Sequence, residues 1–313
     1  MSKYKEIKGF KVQTLASDTV ASAVAGGSWA SGGTMNTARN AVAGAGTQDA
    51  AWVAGGAPPN PASKNEMEIY NGTSWTEVNN LNTARRNSGS SGTTTAGLLV
   101  AGQTAPSPPI ANVESWDGTS WTEITDVNTA RNGLKGGGTQ TASIFGGGYT
   151  TTEVANAEVW NGSTWTEVND LNTARAYTGG SGTSTSNILS AGYKVPAPAQ
   201  TTVESWNGSS WTEVTEVNTG RSELSAAGVS NTSQLIFSGN EPPNSVKTES
   251  WDGTSWTEVA DMASARRATA GAGTQTSALV SAGYGTADSA LTEEFTAPST
   301  FTKINLGQVY YNS

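Results

Sequence analysis

Six arginines stand in register along this chain, and eleven glutamates do the same. Arg39, Arg85, Arg131, Arg175, Arg221 and Arg266 are separated by 46, 46, 44, 46 and 45 residues. Glu68, Glu114, Glu158, Glu204, Glu249 and Glu293 make a second register, and Glu77, Glu123, Glu167, Glu213 and Glu258 a third. Guanidinium groups ringing one mouth would bind an anion, such as a sulfated or carboxylated glycan, through bidentate contacts. Paired carboxylates would serve as the acid and nucleophile of a glycosidase. Repetition argues against both uses, because function sits in a grafted, unique site whereas scaffold recurs. The arginines are therefore read first as ties to backbone carbonyls between successive units, with anion binding as the alternative. The glutamates are read as solvated side chains of outer strands.

What is missing narrows the chemistry further. The chain has no Cys and no His in 313 residues. That removes thiol nucleophiles, Ser-His and Cys-His dyads, disulfides, and zinc or copper sites built on imidazole or thiolate. Clustered Asp and Asn would suit calcium, but no EF-hand or Gly-Gly-x-Gly-x-Asp pattern is present. No cofactor and no metal are expected. The net charge of −9 and the absence of a basic stripe disfavour nucleic acid. No apolar stretch is long enough to span a membrane, so no membrane insertion is expected. Leu, Ile, Val and Phe together fill only 46 of 313 positions, yet 11 Trp and 37 Gly are no disordered composition. Something other than an aliphatic core must order the chain.

Repetition supplies the answer. Seven residues after each Arg comes a Gly: Gly46, Gly92, Gly138, Gly182, Gly228 and Gly273. A second small pair follows, as Gly55-Gly56, Ala101-Gly102, Gly147-Gly148, Ala191-Gly192, Ser238-Gly239 and Ala282-Gly283. Two aromatics close each unit: Tyr70/Trp75, Trp116/Trp121, Trp160/Trp165, Trp206/Trp211, Trp251/Trp256 and Phe295/Phe301. A period in the mid-forties, rich in Gly and Trp, predicts a propeller blade of four short strands. Strand a follows the Arg (Ala41–Thr47 in the first copy), and strand b ends on the small pair (Ala50–Gly55). Strand c alternates, as in Val113-Glu114-Ser115-Trp116, and strand d begins at the second aromatic. Asn-Gly or Asp-Gly joins c to d, at Asn71-Gly72, Asp117-Gly118, Asn161-Gly162, Asn207-Gly208 and Asp252-Gly253. Small residues suit the crowded axis, and Trp or Tyr fill the widening gap between blades.

The small pair, the gap and the two aromatics around a Gly-containing turn resemble the kelch repeat of β-propellers. The recurrent Asn-Thr-Ala-Arg, Gly-Thr-Gln and Trp-Asn-Gly-Thr-Ser-Trp-Thr-Glu resemble more closely the kelch-like proteins of tailed phages of marine bacteria. The likeness covers residues 29 to about 306. It implies an all-β, six-bladed kelch-like β-propeller and a binding platform more often than an enzyme. Ser115-Trp116-Asp117-Gly118-Thr119-Ser120-Trp121 approaches the Asp-box of sialidases but is one residue short between Asp and Gly. The copper chemistry of galactose oxidase, a kelch-type propeller, needs His and Cys ligands that are absent here. The sequons at Asn71, Asn161, Asn207 and Asn231 are read as turns.

The chain divides into a basic arm (1–25), a propeller of six repeats (26–306) and a short tail (307–313). Trp29 stands ten residues before Arg39, the interval that separates every second aromatic from the next Arg. It marks a d-like strand, and Phe301–Leu306 marks another. The ring should therefore close by pairing N- and C-terminal strands in one blade; seven blades with a composite terminal blade are the alternative. The arm holds Lys3, Lys5, Lys8 and Lys11 with no apolar run behind them, so a secretory signal is not expected. It is either a disordered tail or a peptide that docks on an assembly partner. Loops between b and c differ most among the copies, and they share a face with the d–a connections. That face carries Tyr149, Tyr193 and Tyr284 and is the expected binding face. The full expectation is a non-enzymatic phage virion protein of tail-fibre, decoration or host-attachment type. It would be anchored to other virion proteins by the arm, with a host surface glycan as ligand, and made in the host cytoplasm before release. A free glycan-binding lectin and a sialidase-like glycosidase are the alternatives.

Overall fold

The computed structural model describes residues 26–58, 62–106 and 108–298. Each repeat forms one antiparallel sheet, and the described residues make six four-stranded sheets with no helix. In the first blade, strand a is Ala43–Gly46, b is Ala51–Ala54, c is Met67–Tyr70 and d is Trp75–Val78. The innermost strands of blades two to six are Gly89–Gly92, Lys135–Gly138, Gly179–Gly182, Ser225–Ser230 and Ala270–Gly273. Each a strand touches the a strand of the next blade, and the sixth touches the first. The chain is a six-bladed β-propeller; the seven-bladed alternative is not what forms.

The ring closes inside the sixth blade. Its strands a, b and c are Ala270–Gly273, Ser277–Ser281 and Thr292–Thr296, and its outer strand is Ser28–Ser31. Trp29 lies opposite Phe295, with ring centroids 5.3 Å apart. The other blades place the paired aromatics of c and d at 5.0 to 5.4 Å, so Trp29 fills the second aromatic position of this blade. Pairing the two ends of the chain leaves no free sheet edge where a ring would otherwise open. Phe301–Leu306, expected to supply a second such strand, lies outside the described residues, as do the arm and the tail. The d position of the sixth blade belongs to the N-terminal strand.

Tilted aromatic pairs are each worth roughly 0.5–1.5 kcal/mol beyond the area they bury. Six of them let the chain do without a large aliphatic core. The first aromatic fastens its own blade: the indoles of Trp116, Trp160, Trp206 and Trp251 donate to carbonyls of their a–b turns, at Thr94, Gln140, Ser184 and Asn231. The second reaches back to the preceding blade, as Trp165 and Trp256 do to the carbonyls of Thr125 and Thr215. Gln of the Gly-Thr-Gln turn adds a third tie, Gln140 Nε2 donating to the Trp116 carbonyl at 2.5 Å. The sequons at Asn71, Asn161 and Asn207 are indeed turns, each side-chain oxygen accepting the amides two and three residues on.

Candidate functional site

The site is built from residues that immediately follow the six arginines. The arginines themselves go inward: all six are 0–1% exposed. Each forms an ion pair with the Glu that precedes the first aromatic of its blade. The distances are 3.0 Å for Arg39–Glu68, 2.6 Å for Arg131–Glu158, 3.1 Å for Arg221–Glu249 and 2.5 Å for Arg266–Glu293. Arg85–Glu114 and Arg175–Glu204 repeat the pair. The same carboxylate accepts the amides of the incoming connection; Glu68 takes those of Asn36 at 2.7 Å and Thr37 at 3.4 Å. Arg39 also donates to the Glu66 carbonyl at 2.6 Å. The Asn-Thr-Ala-Arg wording is thus a clamp that seats each connection on strand c of the blade it enters. Burial pushes the guanidinium pKa values down, and the paired carboxylates Glu68, Glu114 and Glu158 push back.

The reading of all eleven glutamates as solvated needs correcting for one register. Glu68, Glu114, Glu158, Glu204, Glu249 and Glu293 are buried at 0–3% exposure, because each charge is matched by an Arg and by backbone amides. Glu77, Glu123, Glu167, Glu213 and Glu258, directly across the c–d ladder, remain exposed.

One and two residues beyond each Arg, the chain reaches the axis. The second residue is Ala41, Asn87, Gly133, Tyr177, Glu223 or Ala268, and all six have φ between 52° and 65°. Each donates its amide to the carbonyl of its counterpart in the preceding blade: Asn87 to Ala41, Gly133 to Asn87, Tyr177 to Gly133, Glu223 to Tyr177, Ala268 to Glu223 and Ala41 to Ala268. These bonds, 2.8–2.9 Å long, close a ring around the axis. The left-handed backbone costs a non-glycine residue roughly 1–2 kcal/mol, and the closed ring holds it there. Because the turn sends the side chain up into the mouth, this position is free to vary. The repeats that agree elsewhere disagree here.

The first residue beyond each Arg pairs with the residue that follows the small pair. The pairs are Asn40 with Ala57, Arg86 with Gln103, Asn132 with Tyr149, Ala176 with Tyr193, Ser222 with Asn240 and Arg267 with Tyr284. The predicted tyrosines therefore occupy three of six equivalent wall positions. Together the two layers surround a recess of about 420 Å³ lined by Asn40, Arg86, Asn87, Tyr149, Tyr177, Tyr193 and Glu223 among others. Tyr284 stands at the rim, 5.6 Å beneath the Arg267 guanidinium. Tyr177 lies across the Gly133 backbone, where an added Cβ would come within 2.7 Å of its ring. Its hydroxyl donates to Asn132 Oδ1 at 2.7 Å, and its ring meets Tyr193 edge-on. Burial, then the nearby Glu223, raise the Tyr177 phenol above its usual pKa. Burial also raises the Glu223 carboxyl, against the pull of Arg267 at 3.5 Å.

Of the expected site residues, the structure brings Tyr149 and Tyr193 into the recess, sets Tyr284 beside it and keeps the six arginines beneath it. Arg86, Tyr177, Glu223 and Arg267 escaped the sequence reading. Their signal was a break in register: Arg86 and Arg267 double an Arg that stands alone in the other four copies. The chain matches no known protein-family profile and no curated protein sequence.

Proposed function

We propose that this chain is a non-enzymatic display propeller whose axial mouth receives a glycan, carried on a phage particle as a tail-fibre, decoration or host-attachment component. The observation that carries the reading is the recess itself: six equivalent positions filled by five residue types, Ala, Asn, Gly, Tyr and Glu, above a scaffold that hardly changes. Its volume of about 420 Å³ fits the roughly 300–1,000 Å³ of small-ligand sites. A sugar ring presents a C–H face that suits the tyrosine rings, and hydroxyls that suit Asn40, Asn87, Arg86 and Glu223. The repeated acids are spent on arginine pairs or face solvent, and Glu223, the carboxylate among the described residues that line the recess, is bound to Arg267, which favours binding over turnover. The kelch-like, phage-like wording of the repeats supports the virion setting, with the basic arm as the anchor to other virion proteins.

A free lectin is the second reading, favoured by the same recess and separated from the first by where the protein is found. The test has two parts. A glycan array probed with the chain should give a signal that Tyr193→Ala and Arg86→Ala remove. Mass spectrometry of purified particles should find the chain. A silent array together with particles lacking the chain would sink the proposal; an array signal without particle association would establish the lectin.

A further inference from the structure

Below the hydrogen-bonded ring the axis continues as a narrow channel between the a strands. Four residues past each Arg stand Ala43, Gly89, Lys135, Gly179, Ser225 and Ala270. Five are small and uncharged; one is a lysine. Packing here is close, since a Cβ added at Gly180 would come within 2.9 Å of Lys135 Cβ. Lys135 borders two successive spaces, one of about 20 Å³ under the ring and one of about 40 Å³ below it. Beyond these, a vestibule of about 110 Å³ lined by Gly, Ala and Ser of all six a strands opens toward the opposite face.

The Lys135 ammonium makes no hydrogen bond and no ion pair with any described residue. Glu223 borders the same upper space, yet it is committed to Arg267 at 3.5 Å. The Lys135 side chain is partly buried, and an ammonium drawn partly out of water with no counter-charge beside it is destabilising. The six Arg–Glu pairs show how this chain matches the charges it buries fully. The space beside Lys135 is lined by Ser90, Thr178 and Ser225 as well as glycine backbone. It holds two or three water-sized bodies at about 10–15 Å³ each; a halide is little larger than a water molecule.

We propose that Lys135 anchors a small-anion site, sized for a halide, in the axial channel. The anion would enter from the vestibule and supply the counter-charge that no described residue supplies to Lys135. Burial holds the Lys135 ammonium down to about 8, which leaves it mostly charged at neutral pH and able to hold such an ion. The anion site requires no ligand at the mouth.

Thermal melts of the full chain in sodium bromide and in sodium gluconate, at equal ionic strength, provide the test. At bromide tenfold above its Kd the wild-type Tm should exceed that in gluconate by about 2 °C. The difference should vanish in Lys135→Met and Lys135→Gln. Bromide-soaked crystals should show an anomalous peak on the axis about 3–3.5 Å from the lysine nitrogen, a readout that needs no variant to fold. Equal wild-type melts in the two salts, an unchanged bromide response in both variants, or a channel holding only water would overturn the proposal.

Discussion

Arg85 and Arg86 are neighbours in the chain and belong to different parts of the molecule. Arg85 is 1% exposed and bound to Glu114; Arg86 lines the mouth, and its side chain has no hydrogen-bond or ion-pair partner among the described residues. Arg266 and Arg267 repeat the contrast, the first paired with Glu293 inside, the second stacked on Tyr284 at the rim. Charge alone does not tell scaffold from site here. The position in the repeat does, because a residue fixed in six copies is held by packing and a residue that varies among the copies is released from it.

The sharpest way to break the contrast is to remove one partner from the buried layer. Arg131→Met should cost about 3–5 kcal/mol in denaturant unfolding, since Glu158 would be left buried with its charge unmatched. Arg86→Met at the mouth should change stability by no more than about 0.5 kcal/mol. Similar losses for the two would erase the distinction between layers.

The channel lysine gives the next largest effect, and its sign follows from the direction of its shift. The folded-state pKa of about 8 lies below the unfolded value of 10.5. Its cost to stability is therefore fully present below pH 8 and relieved as pH rises toward 10.5. In gluconate, wild type should gain up to about 3 kcal/mol on Lys135→Met across that window. Subtracting the variant cancels the titrations common to both proteins, Tyr177 and Glu223 among them. A flat difference curve would mean that the ammonium is fully hydrated in the channel.

Relief of backbone strain comes third. Ala268 sits at φ 52°, so Ala268→Gly should raise stability by about 0.5–1 kcal/mol once the added freedom of the unfolded chain is deducted. Gly133→Ala should do the opposite, because the new methyl would meet the Tyr177 ring. A stabilised Gly133→Ala would show that the tyrosine does not lie where it is placed.

The blade, its period and the ring closure through Trp29 were legible in the sequence because each rests on residue types with few other uses: paired aromatics, small pairs and Asn-Gly turns. The Arg–Glu clamp was half legible. Both registers were plain, but partners 27 to 29 residues apart meet only once strand c has folded back along the connection. Their equal number and opposite sign were the available clue. The left-handed ring was hidden, since Ala41, Tyr177, Glu223 and Ala268 do not advertise positive φ as Gly133 or Asn87 do. Lys135 was visible as the lone charge among small residues, and only the three-dimensional ring shows that it faces the axis.

In the proposed division of labour the mouth carries recognition and the layer beneath it carries stability. Its most direct test is calorimetric titration of a glycan-array ligand into wild type, Arg86→Ala and Tyr193→Ala, with a melt of each sample. Affinity should weaken at least about tenfold in both variants, equivalent to roughly 1.4 kcal/mol, with melting temperatures unchanged. Wild-type affinity in both variants would contradict it.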